Sequence, residues 1–253
     1  MKKRIAFITG ATAGIGQETA RLLAKNNFNL ILCGRRKERL NAEKAALSEH
    51  TEVTILDFDV RDSVAVSKAI SSLPDSWRAI DVLINNAGGA HGLAPIQEGS
   101  LSDWDAMIDI NVKGLLYVTR EIVPGMIDRK SGHIINLGSI AGKEVYPNGN
   151  VYCASKFSVD ALTRGMRLDL NPHGIKVTSI NPGLVETEFS LVRFKGDQER
   201  AAAAYKGLDP LTPSDIADIV LYVLSSKDHV VLADITVFPK AQASSTVVNR
   251  NAK

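Results

Sequence analysis

The sequence is short of the features that mark secreted, metal-binding and membrane-spanning proteins. Its two cysteines, Cys33 and Cys153, lie far apart without metal-ligand spacing, so we expect reduced thiols in an intracellular compartment. The five histidines show no paired spacing, and no metal site is expected. No apolar run approaches the ~20 residues that span a bilayer. The apolar stretch after the basic start ends at Thr9-Gly10, too early for a secretory leader.

The sequence also lacks an excess of basic or acidic residues. The 30 basic and 28 acidic side chains leave a net charge of +2 over 253 residues, which is too even for a surface that attracts nucleic acid or a membrane. Apolar residues make up 45% of the chain, a globular composition. We therefore expect a cytoplasmic protein whose partner is a small molecule, with no nucleic-acid or membrane partner.

Short apolar runs alternate with amphipathic helical patterns along the chain. This alternation, with strands apolar on both faces, is typical of a parallel sheet covered by helices on both sides. No linker or repeat interrupts it, so the sequence predicts one domain over residues 1–253, a Rossmann-type doubly wound α/β fold with about seven parallel strands. The strands are expected at Ile5–Thr9, Leu30–Cys33, Val53–Asp57, Val82–Ile84, His133–Leu137, Val177–Ile180 and Ile235–Phe238.

The segments between the strands predict helices. They are expected at Ile15–Asn26, Lys37–Glu49, Val64–Ser72, Leu101–Arg129, Val151–Leu170 and Ser214–Ser225. Pro124 should kink or shorten the fourth of them, because proline lacks the backbone donor that a helix needs. The polar tail from about Ala241 is expected to be loosely held or to dock on a neighbouring molecule.

The first predicted strand leads into a glycine-rich turn, Thr9-Gly10-Ala11-Thr12-Ala13-Gly14-Ile15-Gly16. Glycines allow a tight turn and let phosphate approach backbone amides at the N-terminus of the next helix. The spacing is Gly-x-x-x-Gly-x-Gly, and a purely structural turn is the alternative. The order strand, turn, helix favours dinucleotide binding.

Two arginines follow the second predicted strand, in Cys33-Gly34-Arg35-Arg36. An acidic residue at this place would hold the ribose 2′-hydroxyl of NAD, whereas a guanidinium group binds a 2′-phosphate bidentately. The pattern therefore favours NADP, with Arg35 the better placed and Arg36 near the adenine face. The alternative is a pair of solvated arginines that open a helix.

Two more predicted strands end in loops with polar or small residues. In Asp57-Phe58-Asp59-Val60, the carboxylate of Asp59 either accepts the adenine amino group or caps a helix. In Asn85-Asn86-Ala87-Gly88-Gly89, small residues let the backbone pass close to a cofactor. By itself the second pattern indicates only a turn.

Tyr152 and Lys156 share one face of a predicted helix. The pKa of tyrosine is near 10, and an adjacent cation stabilises the phenolate and lowers that pKa. The pair is therefore a candidate for proton transfer. The same spacing also arises by chance, with the phenol in the core and the ammonium in water.

These segments together resemble the short-chain dehydrogenase/reductase superfamily. The matches run in order over almost the whole chain: Thr9-Gly10-x-x-x-Gly14-x-Gly16, Asp59-Val60, Asn85-Asn86-Ala87-Gly88, Asn111 in Asn-Val-Lys-Gly, Ser139 in Leu-Gly-Ser-Ile-Ala-Gly, Tyr152-x-x-x-Lys156 and Asn181-Pro182-Gly183. The resemblance implies a catalytic tetrad of Asn111, Ser139, Tyr152 and Lys156. In the family, Tyr is the acid/base, Lys lowers its pKa and holds the nicotinamide ribose, Ser fixes the substrate oxygen, and Asn anchors a water of the proton relay.

The resemblance also implies the binding residues. Those for the cofactor are Gly10, Thr12, Gly14, Ile15, Gly16, Arg35, Arg36, Asp59, Val60, Asn86, Ala87, Gly88, Tyr152, Lys156, Pro182, Gly183, Val185 and Thr187. Those for the substrate are Ser139, Tyr152 and Arg193. A substrate lid is expected around residues 184–210, followed by the C-terminal tail 241–253.

A narrower resemblance is to the NADP-dependent members that oxidise 3-hydroxy acids such as L-serine, L-allo-threonine and 3-hydroxypropionate. It is carried by Gly34-Arg35-Arg36, by Tyr146-Pro147-Asn148-Gly149-Asn150, by the segment 185–197 and by the tail from Leu232 to Ser244. It implies a homotetramer. In the lid segment, two basic side chains, Arg193 and Lys195, lie beside large apolar residues and suit a small anionic substrate; the alternative is that both are surface charges on a mobile loop. The alternatives are a broad-range carbonyl reductase acting on neutral ketones and a non-catalytic NADP-binding partner protein.

Overall fold

A computed structural model describes residues 3–251 of the protein. Met1 and Lys2, which open the basic start of the chain, and the last two residues of the tail lie outside the described residues. Seven strands form one parallel sheet in the order β3-β2-β1-β4-β5-β6-β7. The strands are β1 (Arg4–Thr9), β2 (Phe28–Gly34), β3 (Val53–Asp57), β4 (Val82–Asn85), β5 (Gly132–Leu137), β6 (Ile175–Pro182) and β7 (Asp234–Val237).

Helices follow the strands and cover both faces of the sheet. They are α1 (Gly14–Ala24), α2 (Lys37–Leu47), α3 (Ser63–Ser71), α4 (Leu101–Ile108), α5 (Gly114–Arg129), α6 (Asn150–Leu170), α7 (Glu188–Arg193), α8 (Gln198–Ala203) and α9 (Pro213–Ser225). The predicted α/β fold with a doubly wound parallel sheet is confirmed. Within the described residues, no helix combines the length and hydropathy needed to cross a bilayer.

The sheet separates two apolar cores, and β1 shows how one strand supplies both. Ala6 and Ile8 pack on the side of α1 and α9. Ile5 and Phe7 point to the other side, towards α3 and α5. Because successive side chains alternate across a strand, a strand that is buried on both faces must be apolar throughout.

The structure does not contain the single helix expected at Leu101–Arg129. The segment is split by a π-helical turn at Asp109–Lys113, and α5 continues through Pro124 to Arg129. A π-helical turn holds one extra residue per hydrogen-bonded ring, and this one contains the buried Asn111. Pro124 does not end the helix, since Ile122 and Met126 on either side of it are buried in the core and tertiary packing outweighs the lost hydrogen bond.

All strands run in one direction, so their carboxyl ends meet at one edge of the sheet. β1 lies between β2 and β4, and the chain therefore changes direction across the sheet at this point. Open α/β sheets bind ligands in the crevice at such a switch point. The loops after β1, β2, β3, β4, β5 and β6 all reach this edge.

The lid region contains two short helices, α7 and α8, that the sequence analysis did not predict. The tail is not loosely held over residues 241–251, and it lies on its own chain. The side chain of Gln242 is buried and accepts a hydrogen bond from the backbone N–H of Leu184 at 2.8 Å. Arg250 donates to the carbonyl oxygens of Ala204 (3.3 Å) and Lys206 (2.8 Å). The tail thus contacts both ends of the segment expected to form the lid.

Candidate active site

A cavity of about 710 Å³ opens at the carboxyl edge of the sheet. Of the predicted site residues, all but Gly16 and Asn111 line it. A volume in this range suits a ligand of cofactor size. The structure therefore brings loops from six strands and the lid to one place.

Two glycines of the turn after β1 have positive φ angles. Gly10 and Gly14 have φ angles of +67° and +52°, a conformation that glycine adopts without strain. A Cβ on Gly16 would lie 2.4 Å from Nδ2 of Asn86 and from the carbonyl oxygen of Gly10. Gly16 is thus a packing position behind the turn. No side chain caps α1, so its first backbone N–H groups are available to an anion.

Asn86 and Thr9 fasten the turn to the loop after β4. Nδ2 of Asn86 donates to the carbonyl oxygens of Thr9 (2.9 Å) and Gly10 (3.2 Å). Oγ1 of Thr9 accepts from the backbone N–H groups of Asn86 (3.0 Å) and Ala87 (2.9 Å). These four hydrogen bonds hold the cavity floor in a fixed shape.

The arginines after β2 lie at one end of the cavity. Arg36 donates through Nε (3.1 Å) and Nη2 (2.9 Å) to Oγ1 of Thr12. Arg35 contacts Asp59 at 3.4 Å, and Arg61 forms an ion pair with the same carboxylate at 2.7 Å. Burial opposes ionisation of Asp59, but hydrogen bonds from Arg61 and the charge of Arg35 lower its pKa. The helix-cap alternative for Asp59 is wrong, because Asp62 caps α3.

Lys156 and Asn111 meet beside the loop after β4. A Cβ on Gly88 would lie 2.8 Å from Oδ1 of Asn111 and 3.6 Å from Nζ of Lys156. Nζ of Lys156 donates to the carbonyl oxygen of Leu137 at 2.9 Å. Burial lowers the pKa of Lys156 to about 8, so the ammonium form predominates at neutral pH.

Asn111 lies behind the cavity wall. Its Nδ2 donates to the carbonyl oxygen of Gly89 and to Oγ of Ser155, both at 2.9 Å, and its Oδ1 accepts from the N–H of Gly89 at 2.9 Å. Ser155 stands on α6 between Tyr152 and Lys156. The side chain of Asn111 therefore positions the loop after β4 against the helix that carries the Tyr–Lys pair.

Tyr152 is buried, and burial raises the pKa of its phenol, with the neighbouring Tyr146 acting in the same direction. The Ser139 hydroxyl and the charge of Arg193 lower the same pKa. Ser139 lines the cavity, and its Oγ accepts from the N–H of Ala141 at 3.1 Å. The phenol of Tyr152 is therefore protonated at neutral pH in the cofactor-free protein.

Arg193, at the end of α7, lies against two aromatic rings. Its guanidinium carbon is 5.4 Å from the ring centre of Tyr152 and 5.5 Å from that of Tyr146. Nη2 donates to the Tyr146 hydroxyl at 2.9 Å, and Nε donates to the carbonyl oxygen of Gly92 at 3.2 Å. Lys195 instead forms an ion pair with Asp103 at 3.0 Å and does not line the cavity.

Several residues that line the cavity were not predicted as site residues from the sequence. They are His91, Tyr146, Glu188, Phe189, Gln242 and Arg250, among others. Tyr146 could have been found from the sequence, because it opens the segment Tyr146–Asn150 that precedes α6 and its Tyr152–Lys156 pair. The ring of Phe189 meets that of Tyr152 edge-on at 5.6 Å and 61°. Gln242 and Arg250 had none, since no local pattern shows where a polar tail will lie.

A parallel sheet with a glycine turn at its switch point and a buried Tyr–Lys pair beside it defines a dinucleotide-dependent α/β oxidoreductase. Comparison with known proteins is more specific. The family model of the short chain dehydrogenases matches residues 4–197. The chain belongs to the short chain dehydrogenase family.

The alignments with similar proteins cover nearly the whole chain. The chain is 47% identical over 240 residues to the NADP-dependent 3-hydroxy acid dehydrogenase YdfG of Salmonella typhi, covering 94% of this chain and 96% of that one. It is 43% identical over 249 residues to sulfoacetaldehyde reductase 2 of Chromohalobacter salexigens, covering 98% and 99%. The closed form of a serine dehydrogenase complexed with NADP+ superposes with a TM-score of 0.91 at 42% identity, covering 95% and 97%.

Proposed function

We propose that the protein is an NADP-dependent oxidoreductase that moves a hydride between the 3-hydroxyl carbon of a small 3-hydroxy acid and nicotinamide. L-Serine, L-allo-threonine and 3-hydroxypropionate represent the substrate class. The observation that carries the proposal is Arg193, whose guanidinium lies over the ring of Tyr152 inside the cavity. The relatives named as a 3-hydroxy acid dehydrogenase and a serine dehydrogenase support the same class.

The residues present fit NADP. The uncapped N-terminus of α1, reached through Gly10 and Gly14, suits a pyrophosphate. Arg35 and Arg36 line the cavity where the 2′-phosphate would lie. NADP+, when bound, accepts the hydride and adds a positive charge that favours the Tyr152 phenolate. We expect kcat/KM to be much higher with NADP+ than with NAD+, and equal use of the two cofactors would contradict the role of the arginines.

The chain's own residues then have distinct tasks. Oxidation at C3 requires removal of the hydroxyl proton, and Tyr152 takes it through its phenolic oxygen. Lys156, one turn along α6, donates to the Leu137 carbonyl oxygen and would contact the nicotinamide ribose. Ser139 fixes the substrate oxygen.

Arg193 recognises the carboxylate in this proposal. Two of its nitrogens are engaged by Gly92 and Tyr146, and Nη1 has no protein partner among residues 3–251. A guanidinium group with a free donor beside the proton-transfer group positions an acid whose hydroxyl carbon is close to its carboxylate. The relative named sulfoacetaldehyde reductase favours a second candidate, a small sulfonate, because a sulfonate offers the same arginine a similar anion.

A substrate panel with a matched pair of variants tests this function. Purified protein with NADP+ is assayed on L-serine, L-allo-threonine, 3-hydroxypropionate, 2-hydroxyethanesulfonate and the neutral propan-1-ol. We expect Arg193→Met to raise KM for 3-hydroxypropionate about 10- to 100-fold, the effect of losing a hydrogen bond to a charged group, with little change for propan-1-ol. Lys195→Met is the control, since it removes a cation from the same segment outside the cavity.

The other outcomes separate the alternatives. If propan-1-ol were turned over as well as the acids, the protein would be a broad-range carbonyl reductase instead. Tight NADP+ binding without turnover on any substrate would support the non-catalytic binding protein. Preference for 2-hydroxyethanesulfonate would keep the role of Arg193 and change the substrate class.

We also propose a cytoplasmic homotetramer. The family resemblance places α5 and α6 at a subunit interface, and these helices expose Leu116 (38%), Phe157 (42%) and Leu168 (77%). Apolar side chains grouped on a helical face are typical of surfaces that another chain covers. Both cysteines are free and buried, which is compatible with a reducing compartment.

A further inference from the structure

The first residue of the lid helix α7 is tied to the arginines after β2. Glu188 accepts a hydrogen bond from Nη1 of Arg36 through one carboxylate oxygen and from Nη1 of Arg39 through the other, both at 2.8 Å. The last residue of the same helix is Arg193, beside Tyr152. One helix of six residues therefore has one end at the cofactor arginines and the other at the proton-transfer group.

Arg36 has a different set of donors for each neighbour. Its Nη1 is used by Glu188, while Nε and Nη2 point to the hydroxyl of Thr12, a neutral acceptor on the cavity wall. An anion in the cavity can replace the hydroxyl on the Nε–Nη2 edge, because charged acceptors bind guanidinium more strongly. The contact with Glu188 is left intact by that exchange.

The residues around Glu188 and Asp59 carry a net positive charge that a bound dianion would neutralise. The cluster consists of two separate sets of ion pairs, Arg35–Asp59–Arg61 and Arg36–Glu188–Arg39, each with a net charge of +1 and together +2. A ribose 2′-phosphate carries about −2 near neutral pH. The phosphate therefore balances the cluster without displacing Glu188.

We propose that Glu188 links recognition of the 2′-phosphate to the position of the substrate lid, so that NADP stabilises the closed lid more than NAD does. The phosphate holds Arg36 through one edge, and Arg36 holds Glu188 through another. NAD leaves Arg36 with only Thr12 and Glu188, and the guanidinium stays more mobile. Glu188 is a positioning residue for the lid, and the cofactor supplies the group that fixes its partner.

The coupling is reciprocal because it is a difference in binding free energy between two states of the lid. Whatever holds the lid closed must strengthen NADP+ binding by the same factor. The Glu188 side chain is 43% exposed, and those of Arg36 and Arg39 are 42% and 50% exposed. Exposed ion pairs stabilise modestly, so we expect coupling of about two- to fivefold.

Hydrogen exchange of the lid amides tests this inference without relying on turnover. The reporters are the N–H groups of Phe194, Lys195 and Gly196, which donate to Ser190, Val192 and Leu191 at the end of α7. Exchange is measured with NADP+ and with NAD+, each saturating by calorimetric titration and without substrate. In the unmodified protein, NADP+ should slow exchange of these amides about two- to fivefold more than NAD+ does.

Glu188→Gln should abolish that difference while NADP+ still binds. The matched control is Glu186→Gln, which removes the same charge two residues earlier from an exposed side chain, and it should keep the difference. Equal protection by both cofactors in the unmodified protein would overturn the inference. So would a difference that persists in Glu188→Gln or one that disappears equally in Glu186→Gln.

Arg39→Gln provides a second route if Glu188→Gln does not fold. Arg39 pairs with Glu188 and does not line the cavity, so it holds Glu188 whichever cofactor is bound. Its loss leaves Arg36 as the guanidinium partner of Glu188, so the NADP-specific protection should persist or grow, and its disappearance would count against the proposal. The inference uses the NADP cofactor of the proposed function but not the hydroxy acid. Absence of NADP+ binding in calorimetry would refute the function, whereas binding without extra lid protection would refute only this coupling.

Discussion

Tyr152 has neighbours that act on its phenol in opposite directions. Burial and the Tyr146 phenol raise its pKa, while the Ser139 hydroxyl and the Arg193 cation lower it. Lys156 donates to the Leu137 carbonyl oxygen and carries its charge one helical turn away. In the proposed mechanism, the protonated phenol donates to a carbonyl oxygen during reduction. In the oxidation direction, the positive charge of the bound cofactor would favour the phenolate.

Removal of the phenolic oxygen should stop catalysis and spare cofactor binding. We expect Tyr152→Phe to lose nearly all turnover, because it removes the hydroxyl proposed to exchange the substrate proton, while NADPH titration by fluorescence gives an unchanged Kd. Tyr146→Phe serves as the control, since it loses a hydroxyl bonded to Arg193 but not the acid/base. A near-normal kcat in Tyr152→Phe would refute the assignment.

His133 on β5 carries a different consequence for stability. It is buried with Nε2 2.8 Å from Oγ1 of Thr178, and burial lowers its pKa to about 3, with the charges of Lys176 and Arg4 adding to the shift. The unfolded chain binds a proton on this ring near pH 6.5, and the folded chain does not until about pH 3. The contribution of His133 to stability is thus complete above pH 6.5 and declines as the pH falls.

Chemical denaturation at several pH values measures that decline. Between pH 6.5 and 5, where few carboxylates titrate, the free energy of unfolding should fall by up to about 1.4 kcal/mol per pH unit from this group. His133→Val removes the ring and should flatten the slope in this interval, whatever its effect on absolute stability. An identical slope in the variant would show that His133 is not responsible.

At the scale of secondary-structure elements, local patterns located the strands and most helices but missed what long-range contacts impose. The π-helical turn at Asp109–Lys113 exists where Asn111 bonds Gly89 and Ser155. Those partners lie far away in the sequence. The helices α7 and α8 have six residues each, too few to show an amphipathic repeat, although Thr187 and Asp197 cap them locally. The sequence therefore predicted the lid as a region and not as helices.

The tail is the element whose position was least predictable and is readily tested. Gln242→Ala leaves the Leu184 N–H without its acceptor, and an unsatisfied buried group costs about 1–3 kcal/mol. We expect a lower free energy of unfolding by that order and faster hydrogen exchange at the Leu184 amide. Lys240→Ala, at an exposed neighbouring position, is the control. Unchanged exchange at Leu184 would mean that the tail does not hold the loop.

At the scale of the complete chain, the fold was predictable because its causes are periodic. Strands apolar on both faces alternate with amphipathic helices, and that pattern admits few arrangements. The single α/β domain and the membership of the dehydrogenase family are confirmed, and NADP agrees with the names of the relatives. The roles of Asn111, Ser139, Tyr152, Lys156 and Arg193 stay predictions. The ion pairs of Glu188 were invisible in the sequence, since they join segments that only the folded sheet brings together.

The proposed homotetramer can be tested on the complete protein. Size-exclusion chromatography with light scattering should give the mass of four chains. Leu168→Glu, on the exposed face of α6, should dissociate the assembly because it places a charge in an apolar interface. Val64→Glu is matched in exposure at 75% on α3 and should not dissociate it. A monomer in the unmodified protein, or dissociation by Val64→Glu alone, would contradict the proposed interface.

The contacts of the tail also bear on biosynthesis. Gln242 and Arg250 follow β7 by a few residues, and they fasten the loop at Leu184 and the end of the lid. The first six strands and the glycine turn leave the ribosome well before these residues, so a nascent chain can form the cofactor site while the lid is not yet secured. Newly made chains should therefore bind the cofactor before they turn over substrate, and catalysis should begin only when translation has passed the tail.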